Sequence, residues 1–117
     1  MSYKFKKVSY SADGIDPLWQ YGVEDLDKSI EALEQIESWA WTPEEIQSLI
    51  DQSKALQGNE RVEYSVEGGY LLIIVTRENA FFYDLVNSTN EYEDFKWTFE
   101  EFIKFLEDFK KFVAENS

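Results

Sequence analysis

The chain has 117 residues, of which 44% are hydrophobic and 17% aromatic, enough apolar material for the core of one domain. Its 24 acidic and 11 basic residues give a formal net charge of -13, which argues against binding to nucleic acid or an anionic membrane and favours a basic protein partner. The absence of Cys and His excludes thiol and imidazole nucleophiles, disulfides, and zinc sites built on those residues.

The N-terminal segment predicts strand structure. Residues 3–5 and 8–10 both alternate apolar and polar, but their phase changes across Lys6-Lys7, which predicts one strand with a bulge or two short strands. The lysines are typical of a charged edge strand that resists unwanted pairing. The segment lacks the apolar core of a signal peptide, and the longest apolar run, Tyr70–Val75, is far too short to span a membrane. We therefore expect a soluble, cytoplasmic protein.

An acidic helix is predicted next. Residues 19–23 lead into it, it begins near Glu24, and apolar residues recur at 26, 30, 33 and 36 with helical spacing. Residues 12–51 hold eleven acids and a single lysine, a net charge of -10. The acidic face of this helix, which includes Glu31 and Glu34, is either a solvated surface or a surface for a partner.

A second helix has a specific start signal. Thr42 is a good N-cap residue, Pro43 suits the first helical position, and Glu45 completes a capping box. The apolar face of this helix follows at 46, 49, 50 and 53, and Gly58 marks its end. We expect the two helices to form an antiparallel pair, with the tryptophans at 39 and 41 at the corner between them.

The stretch Arg61–Asp84 predicts the main sheet. Positions 62, 64 and 66 are apolar and alternate with polar residues, and Gly68-Gly69 permits a tight hairpin turn. If the two glycines are the whole loop, positions 62, 64 and 66 face positions 75, 73 and 71, which places six apolar side chains on one face. The return strand within Tyr70–Val75 is apolar on both faces, as in a central strand that is covered on each side.

A third strand and an acidic loop follow the hairpin. Residues 77–79 are a turn signal, and Ala80–Leu85 predicts a strand of ambiguous register, because a slip of one residue exchanges Phe82 with its two neighbours. The segment Asn87–Asp94 is a polar loop in which three acids surround Tyr92.

The last predicted element is a helix from Thr98 to Ala114. Thr98 and Glu101 form a capping box, and apolar residues at 102, 105, 106, 109, 112 and 113 form a wide stripe that should lie on the sheet. Together these elements predict one α+β domain over residues 1–117. It combines a small antiparallel sheet, a helical pair before the main hairpin and a C-terminal helix packed on the sheet.

Carboxylates are the only abundant functional groups in the chain. Paired carboxylates can hydrolyse glycosides and clustered ones can bind calcium or magnesium, but the sequence has neither the spacing of an EF-hand nor a Gly-rich phosphate loop with its lysine. We therefore expect no catalytic residue, no metal ion and no cofactor, and we keep a carboxylate-only hydrolase as the enzyme alternative.

An acidic surface with exposed aromatic residues is suited to a cationic site on another protein, because carboxylates pair with Lys and Arg while Tyr and Trp supply anchors. Nucleases have such sites, since their substrate is a polyanion. We expect a monomer in a 1:1 complex with a basic protein, without contact to nucleic acid or membrane. The loop at 87–94 is the preferred contact because scaffolded loops commonly carry binding residues, and the acidic helix is the competing surface. The candidate partner-binding residues are Asp84, Glu91, Tyr92, Glu93, Asp94, Glu31 and Glu34.

Small size, strong acidity, the absence of Cys and an α+β order that ends in the helix Thr98–Ala114 characterise the whole chain. In these features it resembles bacterial toxin-immunity proteins, in particular the immunity partners of contact-dependent growth-inhibition systems. The resemblance implies a cytosolic protein that binds and neutralises the C-terminal toxin domain delivered by a neighbouring cell. Such a toxin is often a nuclease, and we expect an RNase more than a DNase.

A second resemblance is local. The run EYSVEGGYLLIIVTRENAFFYD, the acidic loop and the run FEEFIKFLEDFKKFV, from about Ala55 onward, are similar to the YacL-like bacterial proteins. This resemblance implies no specific activity. The alternatives to an immunity protein are therefore an acidic nucleic-acid mimic that regulates a DNA-binding protein and a YacL-like housekeeping protein.

Overall fold

The computed structural model describes residues 3–10, 18–26, 36–38, 40–66, 71–85 and 95–116. These residues form two helices and two antiparallel sheets, which confirms the predicted α+β class. In chain order the elements are β1 (Tyr3–Tyr10), β2 (Leu18–Asp25), α1 (Pro43–Lys54), β3 (Val62–Ser65), β4 (Leu71–Val75), β5 (Asn79–Asp84), β6 (Phe95–Thr98) and α2 (Phe99–Asn116). Neither described helix is long and apolar enough to cross a membrane.

The strands β1 and β2 form a two-stranded ribbon in which every residue has a partner, from Tyr3 opposite Asp25 to Tyr10 opposite Leu18. The expectation of a bulge or a break at the lysine pair was therefore wrong. Lys7 occupies a position on the face that packs inward, and its ammonium lies 4.4 Å from the centroid of the Trp19 ring and donates to the carbonyl of Asn116 at the end of α2. A lysine can place its long aliphatic stem at an apolar position while its charge reaches solvent or a helix C-terminus. Lys7 therefore fits a position on the inward face, which explains why the apolar–polar alternation of the sequence changes phase there.

The strand β2 was not predicted. Glu24 and the residue after it end this strand and do not begin a helix, and Leu26, which was assigned to the apolar stripe of that helix, is 52% exposed. The alternating pattern of Tyr21 and Val23, both buried, is the strand signal that the sequence contained. The predicted helix itself, with Trp39 and the proposed helical pair, falls on residues 27–35 and 39, which lie outside the described residues.

A short bridge attaches the following segment to β2. The backbones of Tyr21 and Ser38 exchange two hydrogen bonds of 3.0 Å. This pairing brings Glu37 over Gly22, where an added Cβ would lie 2.8 Å from the Glu37 Cα. Because Gly22 has no side chain, its cross-strand partner Lys6 can reach Glu37, and the Lys6 ammonium lies 3.4 Å from the Glu37 carboxylate.

The helix α1 begins as predicted. The Thr42 hydroxyl accepts a hydrogen bond of 3.0 Å from the backbone of Glu45, Pro43 is the first helical residue, and the predicted apolar face is buried. The helix ends earlier than predicted, at Lys54. Its C-cap is Ala55, so Gly58 does not end it; that glycine lies in the next turn with a φ of +60°, where a residue without a Cβ is favoured.

The main sheet has the strand order β3-β4-β5-β6. The hairpin register is as predicted, with Val62 opposite Val75 and Tyr64 opposite Ile73, while the glycine turn itself falls on residues 67–70, outside the described residues. Pairing of Ile73 with Phe82 resolves the register of β5, which runs over Asn79–Asp84. The fourth strand, β6, was not predicted, because Phe95–Thr98 is short and adjoins the helix start.

The helix α2 connects all the other layers. Thr98 and Glu101 exchange the two hydrogen bonds of the predicted capping box, at 3.1 and 3.2 Å. The predicted stripe is buried apart from the half-buried Phe112, and it faces the side of the sheet that carries Ile73. Rings from three strands pack on it: Phe82 of β5 against Phe102, Trp97 of β6 against Phe105, and Phe5 of β1 against Phe105, Phe109 and Phe112. The Trp41 ring, from the segment before α1, packs against Phe109.

We predict that Phe109→Ala lowers the free energy of unfolding by about 3–5 kcal/mol, because it removes a fully buried ring and leaves a cavity. Denaturant unfolding monitored by circular dichroism measures the loss. Lys111→Ala, an exposed position on the same helix, is the control and should change stability little. A near-neutral Phe109→Ala would mean that the stripe is a partner surface and not core.

We also predict that Gly22→Ala costs about 1–3 kcal/mol, because its Cβ would overlap the backbone of Glu37 and separate the bridge that joins Tyr21 to Ser38. Gln20→Ala, on the same face of β2, provides the matched control. Equal stability of the two variants, measured by thermal unfolding, would show that the bridge can move away from β2 without cost.

Candidate partner-binding surface

One of the seven predicted contact residues lies within the described residues. Asp84 ends β5, points to the core side with Phe82, and is 4% exposed, so a partner does not reach its carboxylate in this structure. The other six predicted contacts, Glu91, Tyr92, Glu93, Asp94, Glu31 and Glu34, lie outside the described residues. The loop and helix assignments therefore stay predictions.

The negative charge of the chain is distributed unevenly. The described residues contain fifteen acids and ten bases, whereas the remaining residues contain nine acids and one lysine, a net charge of -8. Five of the ten described bases also pair with described carboxylates: Lys4 with Glu24, Lys6 with Glu37, Lys54 with Glu107, Arg61 with Glu63, and Lys104 with Asp108. The described residues thus carry a net charge of -5, and the larger part of the negative charge of the chain belongs to the other residues.

Two of these acidic segments leave the main sheet at one end. Val66 donates a 3.0 Å hydrogen bond to the carbonyl of Leu71, so the segment 67–70 starts and finishes there. Leu85 and Phe95, which flank the segment 86–94, lie at the same end, because Leu71 pairs with the last residue of β5 and Phe82 pairs with Phe95. The two segments contain four acids and no base.

The two described helices lie against the same face of the main sheet. On the covered face lie the buried residues of β4, β5 and β6, with both helices against them. Contacts show the side on which each helix lies: Phe82 touches Phe102 of α2, and the Tyr64 hydroxyl donates to Glu45 of α1 at 2.9 Å. We use "the open face" for the opposite side, which carries four half-buried apolar side chains: Leu72, Ile74, Phe81 and Tyr83.

These four apolar residues form one continuous strip. In the register, Leu72 is opposite Tyr83 and Ile74 is opposite Phe81, so the strip covers two adjacent strands. The expectation that β4 is covered on both sides is not met by the described helices, which both lie against the other face. The open face instead presents two aromatic rings and two branched aliphatic side chains.

A groove extends the open face at the end of the sheet opposite the acidic segments. It encloses about 340 Å³ between the turn that follows α1 and the β4–β5 turn. Phe81 belongs both to the strip and to this groove. The charged residues that line the groove are Glu60, Arg77 and Glu78. The β4–β5 turn is held by Thr76, whose hydroxyl accepts from the backbone of Asn79 at 3.2 Å, so its charged side chains project from a fixed turn.

A second groove runs between the two helices and collects basic side chains. It encloses about 350 Å³ and is lined by Lys54, Lys110 and Lys111, together with Gln47 and Glu107. Lys110 donates to Gln47 at 2.6 Å and Lys54 lies 4.0 Å from Glu107, so two of the three cations already have protein partners. Lys54 lies in the last turn of α1, where a cation also complements the helix dipole.

The pKa values of Tyr3 and Lys104 are both raised. Burial raises the pKa of the Tyr3 phenol above its usual 10.0, and the nearby Asp108 carboxylate raises it further. The hydrogen bond from Lys104 to Asp108, 2.9 Å long, raises the pKa of that exposed lysine. Neither shift brings a group toward neutral pH, where a general acid or base is most effective.

The described residues contain no group of three carboxylates that could hold a metal ion. No protein family, curated protein or solved structure matches the chain. The candidate site is therefore argued from the open face and the charge distribution alone.

Sequence reasoning did not identify the open face as a candidate surface. The run Tyr70–Val75 predicted a strand covered on both sides, and an uncertain register left Phe81 and Tyr83 without an assigned side. The signal that could have identified it is the combination of two facts: the α2 stripe can cover one face, and no second apolar stripe of that width occurs in the chain.

We predict that the folded protein retains a protonated Tyr3 above pH 10.0, where the tyrosines of the unfolded chain have ionised. Because the folded-state pKa is raised, the stability from this group is complete below pH 10.0 and is lost as pH rises through the folded-state pKa. Spectrophotometric titration of tyrosinate in the wild-type protein and in the Tyr3→Phe variant measures the pKa of Tyr3. Asp108→Asn should lower the Tyr3 pKa partway, and an unchanged titration in both variants would contradict the assignment.

Proposed function

We propose that this chain is an immunity protein that acts in the cytoplasm, binds the cationic toxin domain of a neighbouring cell and neutralises it without catalysis. The toxin class we favour is a nuclease, and an RNase before a DNase. The observation that carries the proposal is the strong acidity of the chain, whose 24 acids and 11 bases give a net charge of -13. A negative charge of this size favours association with a basic protein surface.

The proposed mechanism is physical occlusion. A nuclease surface that binds a polyanion carries Lys and Arg, and acidic segments that match it accelerate encounter through long-range attraction. Once the surfaces meet, aromatic side chains exclude water and slow dissociation, and Tyr92 is the sequence-predicted anchor for this step. Occupation of the cationic site by carboxylates prevents the nucleic acid from entering.

The direct test uses the C-terminal domain encoded by the reading frame immediately upstream. That domain is expressed from an inducible promoter with and without this protein, and growth and 1:1 binding are measured. We expect protection of the cells and an affinity that falls as salt rises, mainly through slower association. Absence of both binding and protection would reject the proposal for that toxin domain and for the immunity function at this locus.

Charge reversal locates the acidic contact. The triple change Glu91→Lys, Glu93→Lys and Asp94→Lys should slow association and abolish protection, whereas Tyr92→Ala should chiefly speed dissociation. The matched control reverses three exposed helix carboxylates, Glu44, Glu100 and Glu115, and alters the net charge equally. If the control weakens binding as much as the loop triple, net charge alone drives association and the loop is not the contact.

A further inference from the structure

We infer that the outer edge of β3 pairs with the same edge of a second copy of this chain, so that the two main sheets join into one antiparallel sheet across a twofold axis. In the paired register, Arg61 of each copy lies opposite Glu63 of the other. The inference goes beyond the proposed function and does not depend on it. It also differs from the monomer expected from the sequence.

The backbone of β3 directs hydrogen-bonding groups away from the main sheet. Val66 donates to the carbonyl of Leu71 at 3.0 Å, which makes these two residues a hydrogen-bonded pair of the β3–β4 ladder. Such pairs alternate with non-hydrogen-bonded pairs, so Val62 and Tyr64 direct their backbone groups toward β4 while Glu63 directs its own outward. Among the described strands, β4 is the only partner of β3. An edge of this kind is a template for pairing with another strand.

The other described strands that end a sheet are less suited to self-pairing. β1 carries Lys4, Lys6 and Lys7, and like charges brought together disfavour the pairing of two β1 strands. The segment before α1 already bridges the outer side of β2. In β6, the backbone N–H of Thr98 is taken by the carboxylate of Glu101 at 3.1 Å.

The charged side chains at the β3 edge are complementary to a copy of themselves. Arg61 and Glu63 lie 2.8 Å apart within one chain, and their side chains are 61% and 53% exposed. Because the opposite charges stand on either side of Val62, antiparallel pairing centred on Val62 places Arg61 opposite Glu63 on both sides of the axis. A register centred on Glu63 would place two carboxylates opposite each other, which disfavours it.

Val62 supplies an apolar contact at the axis of this register. Its side chain is half-buried in the single chain and lies on the face that carries its partner Val75, which is fully buried. The two Val62 residues would form a non-hydrogen-bonded pair, in which side chains approach most closely. Association therefore buries apolar surface in addition to pairing backbone groups.

The net charge of -13 on each copy opposes association at long range. Salt screens exposed charges that are separated by more than about 10 Å at about 0.1 M, whereas the facing charges at the β3 edge are in contact. We therefore expect the dimer to become more stable as salt rises from low concentration, which is the opposite of the salt dependence expected for toxin binding.

The first test reverses the facing charges in the full-length protein. Arg61→Glu and Glu63→Arg should each weaken the dimer about tenfold, because like charges then face each other twice, and the double variant should restore it. Sedimentation equilibrium over a range of protein concentrations measures the dissociation constant. Net charge alone predicts a different result, since Glu63→Arg makes the chain less negative and would strengthen the dimer.

The second test mixes the two single variants. The Arg61→Glu copy presents two acids at the edge and the Glu63→Arg copy presents two arginines, so a mixed dimer should form more tightly than either variant forms with itself. The matched control mixes Lys111→Glu with Glu100→Arg, which make the same changes of net charge at exposed positions of α2. The control pair should show no preference for the mixed dimer.

A third test changes the backbone of the edge. Glu63→Pro removes the outward N–H, and proline is tolerated on an edge strand where that N–H does not pair within the sheet. The variant should therefore keep its fold, measured by thermal unfolding, and lose the dimer. Glu63→Ala, which removes only the charge, should retain more of it.

Two results would overturn the inference. One is a wild-type protein that stays monomeric at every protein and salt concentration tested. The other is a dimer that neither charge reversal weakens, because such a dimer uses another surface. Neither result bears on toxin neutralisation, which the protection of growing cells tests separately.

Discussion

The aromatic stripe of α2 is the interaction on which the rest of the structure depends. Phe105 and Phe109 contact β1, β6 and the residue that precedes α1, so a single helix joins both sheets and the other helix. Aromatic side chains bury large areas, and their preferred offset and edge-to-face geometries restrict how the layers can be arranged. Two strands alone are marginally stable in water, so the packing of the ribbon β1–β2 on α2 stabilises it.

This arrangement leaves the two faces of the main sheet in different states. The two described helices lie against one face, and the ribbon packs against the α2 stripe from the side of Trp97, where Tyr3 meets it. No described helix lies on the opposite side, where the outward residues of β4 and β5 are nevertheless apolar.

The sequence predicted best the features that depend on neighbouring residues or on a strict period. The Thr42 N-cap, the capping box of α2, the register of the hairpin and the α2 stripe follow from local spacing, and these predictions were confirmed, apart from a half-buried Phe112. The errors arose where tertiary contacts decide. Glu45, predicted to complete a capping box, accepts a hydrogen bond from the Tyr64 hydroxyl. Lys7 occupies a position on the inward face because the Asn116 carbonyl accepts a hydrogen bond from its ammonium, and β6 forms because β5 offers it an edge.

The candidate site was predictable only in part, for a related reason. Acidity and aromatic content are visible in the sequence, but the exposure of a side chain depends on what packs against it. Asp84 illustrates this: it was a candidate contact residue, yet the strand register turns it toward the core. Leu72 and Ile74 are the converse case, because they have the composition of core residues and lie on the side opposite the two described helices.

The apolar core and the excess of acidic residues act on stability in opposite ways. The ion pairs of the scaffold are mostly exposed, and such pairs contribute about 0–1 kcal/mol each, so burial of apolar side chains, aliphatic as well as aromatic, supplies most of the stability. A net charge of -13 acts against compaction through self-repulsion. Stability of the fold therefore does not account for the excess of acids. A partner that carries positive charge would bind them, and this is the role that the proposed function gives to the acidic residues.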